Sequence, residues 1–101
     1  MSLKIEKKLN GDDTVIELEG KLDTTTAPEL DEALVGVVET VKSLIFDFSK
    51  LEYISSAGLR VVLKTHKTVS ANGTLKITGV NDSIMEVFDI TGFSDVLNIE
   101  E

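Results

Sequence analysis

Residues 3–9 alternate loosely, with Leu3, Ile5 and Leu9 apolar among Lys4, Glu6, Lys7 and Lys8. Asn10-Gly11 follows, a pair tolerant of positive φ and a strong hairpin signal. Val15, Ile16 and Leu18, interleaved with Glu17 and Glu19, read as a second strand ending at Gly20, so an antiparallel hairpin is predicted to open the chain. The period then changes. Thr26 and Glu29 have the spacing of a capping box, and Pro28 falls in the first turn, where its missing N–H costs nothing. Leu30, Leu34, Val37, Val38 and Val41 continue at three- and four-residue intervals, which predicts a first helix carried past Gly36.

Leu44-Ile45-Phe46-Asp47-Phe48 is a short, almost continuous apolar run of strand formers, a pattern that suits a strand covered on both faces. A second helix is expected from about Ala57 to Ala71, with Leu59, Val62, Leu63, His66 and Val69 on one side. Asn72-Gly73 is its stop signal, because both residues tolerate the left-handed conformation. Leu75 and Ile77 between Thr74 and Thr78 give a strand. A third helix is expected over residues 83–91, opened by Ser83 with Glu86 and closed by Gly92, and the tail from Phe93 to Ile99 is read as a short edge strand. Strands alternating with helices imply an α/β domain with a mostly parallel sheet extended by the hairpin.

Composition narrows the function. The chain's 101 residues, with no linker, repeat or low-complexity tract, amount to one domain, residues 1–101. It contains no cysteine, which removes disulfides, zinc–thiolate sites and a Cys nucleophile. Eighteen acidic against ten basic residues give a net charge of −8, which repels phosphate backbones and anionic membranes. No apolar run is long enough to span a bilayer, and the start lacks the apolar stretch of a signal peptide; the expected location is the cytoplasm.

The candidate chemistry lies between Asp47 and Arg60, where two serines, Ser55 and Ser56, stand between a strand and a helix. Either serine can serve as the helix N-cap, and Gly58 as a small residue for close packing. A helix start also offers free N–H donors and partial positive charge, so a phosphate on Ser56, about −1.5 to −2 charges, is tolerated there. Such a serine is a binding switch and not a catalyst.

Three segments in order resemble the single-domain STAS family of bacterial anti-sigma-factor antagonists. They are Gly20-Lys21-Leu22-Asp23, Leu44-Ile45-Phe46-Asp47-Phe48-Ser49 and Tyr53-Ile54-Ser55-Ser56-Ala57-Gly58-Leu59-Arg60. The third resembles the family's phosphorylation loop. It departs from the common pattern at Ser55, where many members have Asp, and at Ala57, where many have a second hydroxyl residue. The resemblance implies a mixed sheet with helices mainly on one face, Ser56 as phosphoacceptor with Ser55 as second choice, and Asp23 in contact with the partner. The partner surface would then comprise Asp23, Ser55, Ser56, Ala57, Gly58 and Arg60. The implied partners are an anti-sigma factor that is also a serine kinase, and a serine phosphatase. No cofactor is expected on this chain, since ATP and Mg²⁺ would belong to the kinase.

Two other readings were open. STAS domains also serve lipid-transport and other signalling assemblies, which keeps the domain and changes the client. A serine hydrolase would need His66, the only histidine, as general base. Ten helical residues separate it from Ser56 by about 15 Å, beyond hydrogen-bond reach. Asp12-Asp13 and Glu100-Glu101 lack converging ligand spacing and are read as solvated charge, with no metal site expected. Met85 and Phe88 are assigned to the core, and Arg60, beside the serine loop, to the surface.

Overall fold

In the computed structural model, which describes residues 3–100, a five-stranded sheet has its strands in sequence order. Strands β1 (Leu3–Asn10) and β2 (Asp13–Leu22) form the expected antiparallel hairpin. Asn10 pairs with Asp13, so the two-residue turn is Gly11-Asp12, one position later than Asn10-Gly11; Gly11 takes the positive φ of 65°. Strands β3 (Ser43–Ile54), β4 (Thr74–Thr78) and the short β5 (Ile99–Glu100) then add in parallel.

One face of this sheet is the core. Ile16 and Leu18 of β2, Leu44, Phe46 and Phe48 of β3, and Leu75 and Ile77 of β4 are buried on it, and the rings of Phe46 and Phe48 stack at 5.7 Å. Helix α2 (Ser56–Ser70) and helix α3 (Asp82–Thr91) cover that face with Leu59, Val62, Val69, Ile84 and Phe88. The other face carries Glu17, Asp47 and Lys76 with ion pairs Lys8–Glu17 and Lys76–Glu100, both 3.1 Å. The apolar run 44–48 is therefore covered on one side only, and Ile45 and Asp47 are half-buried on the open side.

β3 is longer than its hydrophobic run because it is bulged. Glu17 pairs with Asp47 but Glu19 with Lys50, and Gly20 pairs with Leu51 but Lys21 with Tyr53. Each shift places one extra residue on β3, so its buried positions change from alternate residues to every third: Phe48, Leu51, Ile54. β2 likewise continues past Gly20 to Leu22, with Gly20 at φ 111° beside the second shift. The peptide groups exposed by the bulges find partners. Asp47 accepts from the Ser49 N–H at 2.9 Å, and the Asn81 amide donates to the Leu51 carbonyl at 3.0 Å.

Helix α1 (Ala27–Ala33) is shorter than its apolar stripe. Gly36 adopts φ 84°, which no continuing α-helix allows, and residues 34–40 proceed as successive turns. Leu34, Val38 and Val41 still face the core, which is why their spacing looked helical. The Thr26–Glu29 capping box does not form; the buried Thr26 hydroxyl donates to the Lys21 carbonyl at 2.8 Å. After α2, Gly73 has no positive φ. Glycine is required there by proximity, since a Cβ would lie 2.2 Å from the Lys42 carbonyl oxygen. α3 is opened by Asn81, whose side chain accepts from the Ile84 N–H at 2.8 Å, in place of Ser83. Its end at Gly92, φ 82°, is as expected. Residues Phe93–Asp95 form a 3-10 turn, which leaves only Ile99–Glu100 of the tail in the sheet.

Candidate functional site

The parallel pairing of β2 with β3 ends at Leu22 and Ile54, so the segments beginning at Asp23 and Ser55 leave the sheet side by side. Neighbouring strands lie about 4.8 Å apart. The Ser55 N–H donates to the Leu22 carbonyl at 2.9 Å, which extends the ladder one step and fixes where the helix begins. Gly58 seals the contact. A Cβ on it would lie 2.7 Å from Leu22 Cγ, 2.9 Å from the Leu22 carbonyl oxygen and 3.0 Å from Ile54 Cγ1, so only glycine lets α2 approach this closely.

The two serines divide the work. Ser55, with extended backbone, is the N-cap of α2, and its Oγ accepts from the Gly58 N–H at 3.3 Å. Ser56 is the first helical residue and is exposed, and its hydroxyl forms no hydrogen bond among the described residues. Sequence alone left either serine as the cap; the fold assigns the role to Ser55. Ser56 is thus free at a helix start whose first N–H groups and dipole favour an anion. Ala57 is half-buried, Gly58 is buried, and Arg60 is exposed one turn along from Ser56.

Asp23 is half-buried and its carboxylate is hydrogen-bonded. Its Oδ1 accepts from the Thr25 hydroxyl at 2.7 Å, the Thr25 N–H at 2.9 Å and the Thr26 N–H at 3.1 Å. The Thr25 hydroxyl is the main cause holding this carboxyl below its ordinary value; partial desolvation opposes it, and the backbone N–H groups of Thr26 and Thr25 reinforce it. Bonds to Oδ1 alone leave Oδ2 open among the described residues. The Thr24-Thr25-Thr26 run directly after Asp23 is the signal of an Asx-type turn that could have revealed this arrangement. Tyr53 is a further exposed residue here, paired in register with Lys21, and nothing in its spacing marked it.

His66 lies on the same helix as Ser56 but ten positions further on, about 15 Å away by helical rise. His66 is half-buried, its Nδ1 is buried with no partner among the described residues, and it forms no pair with Ser56. Among the described residues no helix is long and apolar enough to cross a membrane.

Fold and site together define a small α/β binding domain that presents the exposed Ser56 hydroxyl and the held Asp23 carboxylate at the same end of its sheet. The chain belongs to the STAS domain family, which matches residues 4–101. It is 32% identical over 100 residues to the anti-sigma-B factor antagonist of Bacillus subtilis (strain 168), covering 98% of this chain and 92% of that protein. The crystal structure of an anti-sigma factor antagonist from Mycobacterium paratuberculosis superposes with a TM-score of 0.90 at 21% identity, over 97% of this chain and 85% of that one. The Bacillus cell fate determinant SpoIIAA, in its phosphorylated form, superposes with a TM-score of 0.73 at 19% identity, over 99% and 92%. The family and the mixed-sheet fold expected from the three motifs are both found.

Proposed function

We propose that this chain is an anti-sigma factor antagonist controlled by phosphorylation of Ser56. Unmodified, it binds an anti-sigma factor that is also a serine kinase, and a sigma factor is released. The kinase then transfers the γ-phosphoryl group of ATP to Ser56 Oγ: the new O–P bond replaces the β–γ anhydride bond, ADP leaves, and a base of the kinase takes the hydroxyl proton. A serine phosphatase restores the hydroxyl by hydrolysis. The cycle runs in the cytoplasm, and the chain is a substrate and ligand in it, not an enzyme. The observation that carries the reading is the free, exposed Ser56 hydroxyl at the first position of α2, with Ser55 already occupied as the cap.

The surface around it comprises Asp23, Ser55, Ala57 and Arg60, of which Asp23 offers a hydrogen-bonded carboxylate and Arg60 an exposed cation; Gly58, expected on this surface, is buried and serves the packing of α2 against Leu22 and Ile54 instead. Placing a phosphate in a desolvated contact leaves buried charge unpaired, at about 2–5 kcal/mol. That is roughly 30- to several-thousand-fold in affinity, enough to switch partners with no refolding of the domain. The net charge of −8 argues against direct binding to nucleic acid.

Incubation with the cognate kinase and ATP, followed by mass spectrometry, tests the assignment. Phosphate on Ser56, absent from Ser56→Ala, is the expected result; phosphate on Ser55 or any other residue overturns it. Ser56→Ala is expected to keep partner binding and Ser56→Asp to weaken it.

A further inference from the structure

The three helices differ in charge. α1 contains Glu29, Asp31 and Glu32 with no basic residue, and α3 contains Asp82, Glu86 and Asp89 with none. α2 is the reverse: it holds Arg60, Lys64 and Lys67 and no acidic residue. In a chain of net charge −8, a helix of +3 leaves −11 for everything else. The positions are ordered as well. At 3.6 residues per turn, Ser56, Arg60, Leu63, Lys64 and Lys67 fall within about 100° of arc, opposite the buried side formed by Val62, Thr65 and Val69. The stripe starts at Ser56 and runs about 16 Å along the helix.

These cations are available. Arg60, Lys64 and Lys67 are all exposed, and among the described residues only Lys64 makes an ion pair, with Asp31 at 3.2 Å and its side chain still 66% exposed. An open depression is lined by Arg60, Leu63, Lys64, Lys67 and Thr68, of which the half-buried Leu63 is the apolar member.

We propose that this stripe is the electrostatic half of the partner interface, and that it docks an acidic face of the same protein partner that acts at Ser56. The proposal rests on the reading of Ser56 as partner-facing and adds the chemistry of the partner: carboxylates spaced along about 16 Å, with an apolar side chain over Leu63. Nucleic acid fits less well, because the acidic helices α1 and α3 and the net charge of −8 repel a long polyanion, while a compact acidic patch senses the nearby +3 first. The stripe also accounts for the switch. A phosphate of about −1.5 to −2 on Ser56 brings the helix from +3 to about +1 and lies one turn from Arg60, so it competes with the partner's carboxylates for the same cations.

The test measures association of the full chain with its cognate anti-sigma factor kinase by stopped-flow at 50 and 300 mM NaCl. Arg60→Glu/Lys67→Glu is expected to slow association about tenfold at 50 mM, with the difference largely lost at 300 mM. Arg60→Lys/Lys67→Arg is expected to keep the wild-type rate, and circular dichroism establishes that each variant is folded. Unchanged association for the charge-reversed variant at both salt concentrations overturns the proposal. So does a variant that loses binding to a 20-base-pair DNA duplex while its association with the kinase is unaffected. The two readings separate by mass spectrometry of the same samples. Phosphate on Ser56 with no effect of charge reversal refutes the stripe alone; slowed association with phosphate elsewhere refutes the Ser56 assignment alone.

Discussion

The division of labour between adjacent serines makes a sharp stability prediction. Ser55→Ala removes the one side-chain acceptor for the Gly58 N–H, a bond of 3.3 Å at the start of a 15-residue helix. Loss of an N-cap costs about 0.5–2 kcal/mol, and the long bond places this one near 1 kcal/mol. For a domain of this size that lowers Tm by about 4–8 °C. Ser56→Ala removes an exposed hydroxyl that caps nothing, so its effect should stay within about 0.5 kcal/mol. Ser55→Gly, which leaves the helix start accessible to water, should cost only a few tenths of a kcal/mol, and Ser55→Asp should retain the cap. Urea and thermal unfolding followed by far-UV circular dichroism measure all four. Equal destabilisation by Ser55→Ala and Ser56→Ala would refute the assignment of the cap, and with it the argument that Ser56 is left free. The Ser55→Ala protein should still accept phosphate at Ser56.

Three further predictions follow from the same geometry. Gly58→Ala gains about 1 kcal/mol of helix propensity but forces its methyl against the Leu22 carbonyl, which is held by the Ser55 N–H; a net loss of about 1–2 kcal/mol in urea unfolding is expected, and a stabilised variant would show that the contact is soft. Asn81→Ala leaves both the Ile84 N–H and the Leu51 carbonyl without a partner and should cost about 2 kcal/mol, whereas Asn81→Asp keeps the cap and loses only the second bond; equal losses would place the whole effect in the bulge contact. Asp23 has a carboxyl held below its unfolded value, so its contribution is present above about pH 4 and is lost as pH falls through the lower folded value. Thr25→Val should move the Asp23 carboxyl titration upward in an NMR experiment, and an unmoved titration would remove Thr25 as its main cause.

Much of the site was legible before the fold. The order of elements, the hairpin and the helix beginning beside Ser55-Ser56 all follow from local period and turn chemistry. Where the caps were misplaced, another partner had taken the group the spacing assigned, a distant one in α3 and a near one before α1. Ser83 and Glu86 have capping spacing, but Asn81 reaches both the Ile84 N–H and the Leu51 carbonyl of a distant strand. Thr26 and Glu29 have it too, but Thr26 is drawn to the Lys21 carbonyl and Asp23 takes the N–H groups of Thr25 and Thr26. The strand expected from the apolar run 44–48 extends to Ile54, beyond that run, because two bulges give its later buried positions a three-residue interval that no regular strand has.

What the chain determines by itself is periodic and local: alternation makes the hairpin, apolar spacing makes α2 and α3, and two hydroxyls fall where a strand gives way to a helix. The tertiary structure decided which hydroxyl is used up. Ser55 becomes the cap because its N–H is pinned to the Leu22 carbonyl and Gly58 allows the helix to pack there, which starts the helix at Ser56, one residue before the expected Ala57, and leaves Ser56 exposed. That choice depends on a backbone contact between residues 33 positions apart, and no pattern within the loop contains it.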